Sequence, residues 1–224
     1  MTLRIAPTLA RNDPEQDLPA GNIKVTRADW LNLARDVLVN DGVAQIKILQ
    51  LSAQLGVSRS SFYWYFENRA DLLRALLAEW EARNTTTIRT ECARPARNIS
   101  HAVCNFFRCF VHPDLFDQGL DFAVREWARR DGAVRAQIDA ADAARLQALT
   151  DMYAAHGFSD YDADARARVV YFMQLGYHAL VLREPIETRI SRITGYLRAF
   201  TGQEPDAETL VEFAQFARTA AAQP

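Results

Sequence analysis

The residues best suited to chemistry lie in one short stretch. Leu55-Gly56-Val57 is followed by Ser58, Arg59, Ser60 and Ser61, then Tyr63, Trp64 and Tyr65, and four positions later Arg69. Short hydroxyls and a guanidinium at the start of a helix can reach base edges in a groove. Phenolic hydroxyls and cationic side chains suit phosphate oxygens, which Tyr63, Tyr65, Arg69 and, upstream, Lys47 could contact. Free backbone N–H groups after Asn68 would add to that anion site. This is recognition chemistry and forms no covalent bond. Each residue also has a plainer reading. An aromatic run such as Phe62 to Phe66 is more often core, and Phe62 and Phe66, one turn apart, suit packing on the preceding helix. That leaves Tyr63 and Tyr65 as surface candidates, with Trp64 open to either side.

Covalent chemistry has no comparable cluster. The four histidines are scattered, and there is no HExxH, no GxSxG and no glycine-rich phosphate loop. An enzyme is therefore not expected, and neither is a cofactor or a metal. Cys92, Cys104 and Cys109 are an odd number without zinc-ligand spacing. They read as buried inert thiols in a reducing, cytoplasmic protein, with thiol-based redox sensing as the alternative.

The elements that must position these groups read as helices throughout. Apolar residues recur every three or four positions from Lys24 onward, and no run alternates in the manner of a strand. Residues 1–22 carry Pro7, Pro14 and Pro19 and no apolar period, and are expected to be a flexible tail. Thr26 and Asp29 fit a capping box that opens a helix with Trp30, Leu31, Leu33, Ala34, Val37 and Leu38 on its apolar stripe. A second helix is expected near Lys47–Gln54, a third over 58–66 and a fourth from Asn68. Longer helices follow near 97–111, 115–130, 132–156, 161–183, 187–201 and 206–221, nine to ten in all. Two short helices joined at a glycine form the helix-turn-helix arrangement, which also occurs in proteins that never touch DNA.

Composition first argues the other way. A net charge of −2 is unusual for a protein that meets nucleic acid. The sum hides a division, however. Residues 22–70 hold six basic against four acidic residues, whereas 71–224 hold eighteen against twenty-one. Hydrophobic residues at 49% exclude global disorder, and no apolar run is long enough to span a membrane.

Over residues 24–80 the sequence resembles the tetracycline-repressor-like (TetR) family of transcriptional regulators. The likeness is carried by Arg27-x-x-Trp30-Leu31-x-Leu33-Ala34 and by Leu51-Ser52-x-x-Leu55-Gly56-Val57-Ser58-x-x-Ser61-Phe62-Tyr63-x-Tyr65-Phe66-x-Asn68-Arg69. The resemblance implies an all-α protein, with a three-helix DNA-binding domain (23–70) joined to a larger helical ligand-binding and dimerisation domain (71–224). It implies a homodimeric repressor of a palindromic double-stranded operator, released when a small apolar or aromatic effector binds. It places Arg59, Ser60 and Ser61 at base-reading positions and Tyr63, Tyr65 and Arg69 near the backbone. Two residues depart from the family pattern. Ile46-Lys47 stands where a hydroxyl cap is usual, so Lys47 offers only a charge, and Ser52 replaces a usual alanine.

Candidate effector-lining residues are Trp80, His101, Phe106, Phe110, Arg125, Trp127, Tyr153, Tyr171 and Met173, joined by Phe107, Phe122 and His178. Aromatics at such spacing also suit ordinary core. The segment 163–182 is apolar on two faces, which suggests burial against a second subunit through Phe172, Leu175, Gly176, Ala179 and Leu182. The alternatives are burial within one subunit, and a DNA-binding dimer without an effector.

Overall fold

Side-chain caps punctuate this chain. The computed structural model describes residues 25–182 and 184–222, so the expected tail at 1–22 lies outside the described residues. Asp29 N–H donates to Thr26 Oγ1 (3.2 Å) and Thr26 N–H donates back to Asp29 Oδ2 (2.8 Å). That reciprocal pair opens α1, Arg27–Asp41, which buries Trp30, Leu31, Leu33, Ala34, Val37 and Leu38. A short 3-10 turn, Val43–Gln45, leads to α2, Ile48–Leu55. Gly56, at φ 68° and ψ 27°, closes α2 in the left-handed conformation that a side chain resists. Then come α3, Arg59–Phe62, and α4, Arg69–Trp80. The third helix is thus shorter than the expected 58–66. After Phe62 the chain leaves the α-helical ladder and turns through Tyr63, Trp64 and Tyr65.

A first compact unit ends at Glu79 and a second begins at Trp80. The division falls beyond the expected 70/71 boundary, because the start of α4 is tied to the 3-10 turn by Arg69.

In the second unit a π-helical turn, Glu81–Thr85, follows α4 directly. Seven helices follow: α5 Thr86–Cys92, α6 Ile99–Val111, α7 Gln118–Ala128, α8 Gly132–Ala155, α9 Asp160–Ala179, α10 Ile186–Ser191 and α11 Ile193–Thr201. The last helix is α12, Ala207–Ala221. Among the described residues, taking α4–α5 and α10–α11 each as one run gives ten helices, and there is no strand. Asn98, Asp117, Asp131, Ser159 and Asp206 each accept a backbone N–H at the start of α6, α7, α8, α9 and α12. The Asp117 cap explains why α7 starts at Gln118 rather than 115. Helix α9 stops at Ala179 rather than 183, because Val181 adopts a left-handed φ of 51°.

Helix α6 lies at the centre of the second unit and buries ten of its residues, Phe106, Phe107 and Phe110 among them. It packs on α5 and α12, while α8 runs along α9. Phe106 and Phe110 meet edge to face at 5.0 Å, and Phe110 meets Phe116 at 5.0 Å. No described helix is long and apolar enough to cross a membrane.

Candidate functional site

The turn at Gly56 determines what the first unit presents. Phe62 is fully buried and meets Trp30 edge-on at 5.3 Å, and Phe66 packs on Phe62 at 5.3 Å. With those two rings in the core, the residues beside them face outward: Tyr63 is 49% exposed and Trp64 80%. Lys47, Ser58, Arg59 and Ser60 are exposed as well, and Ser61 is half-buried. The aromatic run therefore divides between core and surface, and Trp64 falls on the surface side.

Hydrogen bonds refine the expected roles. Ser58 Oγ and Ser60 Oγ lie 2.7 Å apart, and the Arg59 guanidinium donates to the Tyr63 hydroxyl at 3.4 Å. Lys47 Nζ donates to Gln45 Oε1, at 3.4 Å. Tyr65, by contrast, is half-buried and donates its hydroxyl to the Val25 carbonyl at 2.8 Å, which ties the third-helix turn to the segment before α1. Arg69, expected near a phosphate, is engaged within the chain. Its Nε donates to the Ile46 carbonyl and its Nη2 to the Val43 carbonyl, both at 2.6 Å. These carbonyls belong to the 3-10 turn ahead of α2, so Arg69 braces that turn against the start of α4.

Arg69→Lys is accordingly expected to lower the stability of the first unit by about 1–2 kcal/mol, because an ammonium cannot span both carbonyls. Urea unfolding measures the loss. If stability held while the salt slope of DNA binding fell by about 1, Arg69 would be a phosphate contact instead.

The effector candidates of the second unit fall into different surroundings. Trp80, Arg125 and Tyr171 converge on a charged cluster. Asp121 accepts from Trp80 Nε1 (2.8 Å), Arg125 Nε (2.8 Å) and Arg145 Nη2 (3.0 Å). Asp142 accepts from Arg125 Nη2 (2.6 Å) and from the Tyr171 hydroxyl (2.6 Å). Burial opposes ionisation of Asp121, yet the guanidiniums of Arg145 and Arg125 outweigh it and hold the carboxyl below its ordinary range. These polar groups answer one another and form an internal hub. Phe106, Phe110 and Tyr153 are core, and the Tyr153 hydroxyl donates to the Phe200 carbonyl at 3.4 Å. Trp127 donates Nε1 to Asp131 at 3.2 Å, and His101 Nε2 lies 3.6 Å from Glu212.

Of the nine principal candidates, Met173 alone lines the apolar cavity of about 50 Å³ found between α6 and α9–α12. Tyr177, Gln174 and Arg189, which are not among the candidates above, also line it. The signal for that wall was present in the spacing of Ile186, Ile190 and Ile193.

Helix α9 turns Ala163, Ala167, Val170, Tyr171, Gln174 and His178 inward. Phe172, Gly176, Ala179 and Leu182 are exposed and Leu175 is half-buried, alongside Val169 at 58% and Leu180 at 71%. All three cysteines are free and buried, and burial pushes the Cys104 thiol up to about 12, so none is poised as a thiolate.

Residues 31–76, which contain the whole exposed row from Lys47 to Trp64, match the family of bacterial regulatory proteins of the tetR type. The HTH-type transcriptional regulator TtgR of Pseudomonas putida is 36% identical over 52 residues, 23% of this chain and 25% of that protein. TtgW of the same organism is 34% identical over 59 residues, 26% of this chain and 44% of that one. The chain thus covers less than half the length of either relative. Among solved structures, a candidate transcriptional regulator from Streptomyces coelicolor A3(2) aligns over 85% of this chain and 97% of its own, with TM-score 0.51 and 16% identity. A candidate regulator of the TetR/AcrR family aligns over 87% and 97%, with TM-score 0.54 and 15% identity. At such identities the likeness concerns the fold alone.

Proposed function

From the tetR-family N-terminal domain that this chain carries, we propose a DNA-binding transcriptional regulator that represses by occupying a palindromic operator as a homodimer. The observation that carries the reading is the exposed row Ser58, Arg59, Ser60, Tyr63 and Trp64, set outward by the left-handed turn at Gly56. Hydroxyls and a guanidinium supply base-edge donors, Tyr63 and Lys47 supply backbone contacts, and Trp64 supplies an apolar surface for thymine methyls or sugars.

Two further parts of the reading have their own support. The exposed apolar stripe of α9 and its C-cap, with Val169, Phe172, Gly176, Ala179 and then Leu180, suits a second copy of the chain, because such a face is costly in water. A Cβ built on Gly176 meets no atom of the described residues within 4 Å beyond its own stretch of helix, which leaves room for a partner helix to approach. The cavity between α6 and α9–α12 supports control by a small molecule that loosens the grip on DNA. The protein would work in the cytoplasm, where its operator lies.

Selection of bound fragments from random duplex DNA by the full chain is expected to recover an inverted repeat. Affinity for that site should fall steeply with salt, since each neutralised phosphate releases counterions. A binding constant unchanged across a fourfold rise in salt, or recovery of no common sequence, would overturn the reading.

A further inference from the structure

The geometry points to a binding site for a short aliphatic carboxylate in the cavity between α6 and α9–α12, with Arg189 as the group that holds the carboxylate. The inference deepens the effector part of the proposed function and rests on that reading only for its consequence at DNA.

The cavity wall is apolar: Phe107, Met173, Ile190, Ile193 and Phe213 face it, with Ala217 behind. Its polar edge carries Tyr177, Glu184 and Arg189. The charges of that edge do not cancel. The Glu184 carboxylate is engaged by the Arg192 guanidinium and accepts the Tyr177 hydroxyl at 3.0 Å. Those two donors, Arg192 first, hold it below the ordinary carboxylate range and so keep it ionised. Arg189 lies over the Tyr177 ring, 5.5 Å from its centroid, and among the described residues its guanidinium makes no ion pair and no hydrogen bond. His178, whose Nε2 lies 2.6 Å from Gln174 Nε2, adds no charge near neutral pH, because burial holds its pKa down to about 4. Glu184 and Arg189 line the hollow, and Arg192 engages Glu184 from outside the lining, so the three groups together carry one net positive charge.

That combination selects among ligand classes. An ammonium would meet repulsion, and a neutral alkane or alcohol would leave the Arg189 fork unused. A carboxylate accepts two parallel N–H bonds from such a fork while its tail enters the hollow. Size restricts the tail. A cavity of about 50 Å³ is well below the roughly 150 Å³ that receives a benzene ring. An unbranched chain, with only its end in the hollow and the rest along the open mouth, therefore fits better than the aromatic member of the apolar or aromatic effectors that the resemblance implies. The flexible Met173 side chain gives the wall some adaptability.

The test is calorimetric titration of the full chain with hexanoate, 1-hexanol and hexylamine. Hexanoate is expected to saturate one site per chain, 1-hexanol to bind about tenfold more weakly, and hexylamine not to bind. Arg189→Gln should weaken hexanoate about tenfold and leave 1-hexanol unchanged. Ala217→Val, which fills the hollow, should weaken both, and thermal unfolding of each variant checks that it is folded. Failure of hexanoate to saturate, or a folded Arg189→Gln chain that binds it as tightly as the parent, would overturn the site. Operator affinity is measured separately with and without hexanoate. Binding of hexanoate with unchanged DNA affinity would keep the site and remove its effector role, whereas DNA binding without hexanoate binding would remove the site and keep the reading head.

Discussion

Asp121→Ala is expected to destabilise the second unit by about 3–5 kcal/mol, because it leaves a buried guanidinium without its closest counter-charge. Asp121 and Arg145 are both 0% exposed. Their attraction alone does not decide the outcome, since taking both ions out of water costs several kcal/mol per ion. What decides it is asymmetry. With the carboxylate gone, Arg145 keeps the Thr85 hydroxyl at 3.1 Å and the Tyr171 hydroxyl at 3.3 Å, but its nearest remaining carboxylate oxygen, on Asp142, is 3.9 Å away. Trp80 Nε1 also loses its acceptor. The double replacement Asp121→Leu with Arg145→Met should recover most of the loss, because it removes both buried charges together. Urea unfolding followed by tryptophan emission and helical circular dichroism gives the cycle. A single variant within about 1 kcal/mol of the parent would mean that water already reaches the pair. The pH dependence follows from the lowered carboxyl pKa of Asp121. A carboxyl lowered on folding stabilises above its unfolded value, near 4, and that contribution disappears as pH falls further. The gap between parent and variant should therefore persist from pH 7 to 5 and narrow below about 4.

The parts of this molecule that were legible in its sequence are those governed by local rules. The capping box at Thr26 and Asp29, the stripe of α1 and the left-handed Gly56 each depend on residues within a turn or two of one another, and each stands where the spacing placed it. The outward direction of Tyr63 follows from Phe62 and Phe66 being one turn apart and buried. Long-range polar partners left no such trace. Arg69 binds two backbone carbonyls more than twenty positions away, and any residue type could have supplied those oxygens. Asp121 and Arg145 sit on separate helices, 24 positions apart, so neither reads as buried until α7 and α8 are packed. On α9 apolar character misled in a definite way. The inward face uses small and polar residues, Ala163, Ala167, Gln174 and His178, whereas Val169, Phe172 and Leu180 point outward. A pattern of hydrophobicity shows which face avoids water; it does not show whether its own chain or a second copy covers it.

Arg59→Ala combined with Trp64→Ala is expected to lower operator affinity by roughly a hundredfold or more at physiological salt while leaving the fold intact. The two side chains differ in what they contribute. Arg59 stands at the first position of α3, exposed, with one weak partner in the Tyr63 hydroxyl at 3.4 Å. Its remaining N–H groups are available for the O6 and N7 acceptors of a guanine, a contact worth about 1–3 kcal/mol and specific to one base pair. Trp64 keeps 80% of its surface in water, the most of any large hydrophobic residue among the described residues of the first unit. Covering that indole against sugar or methyl groups would remove apolar area from water at about 25 cal/mol per Å², without strong preference among bases. The single variants should therefore separate. Arg59→Ala relaxes the preference at one position of each half-site, and Trp64→Ala weakens all sites alike. Lys47→Ala serves as the contrast, because loss of a phosphate contact lowers the salt slope by about 1 and leaves sequence preference unchanged. Exposed side chains of this kind move folding stability by less than about 0.5 kcal/mol, so a lost footprint with an unchanged unfolding midpoint assigns the effect to the interface. Retention of parental affinity and preference by the double variant would place the reading surface elsewhere on the first unit.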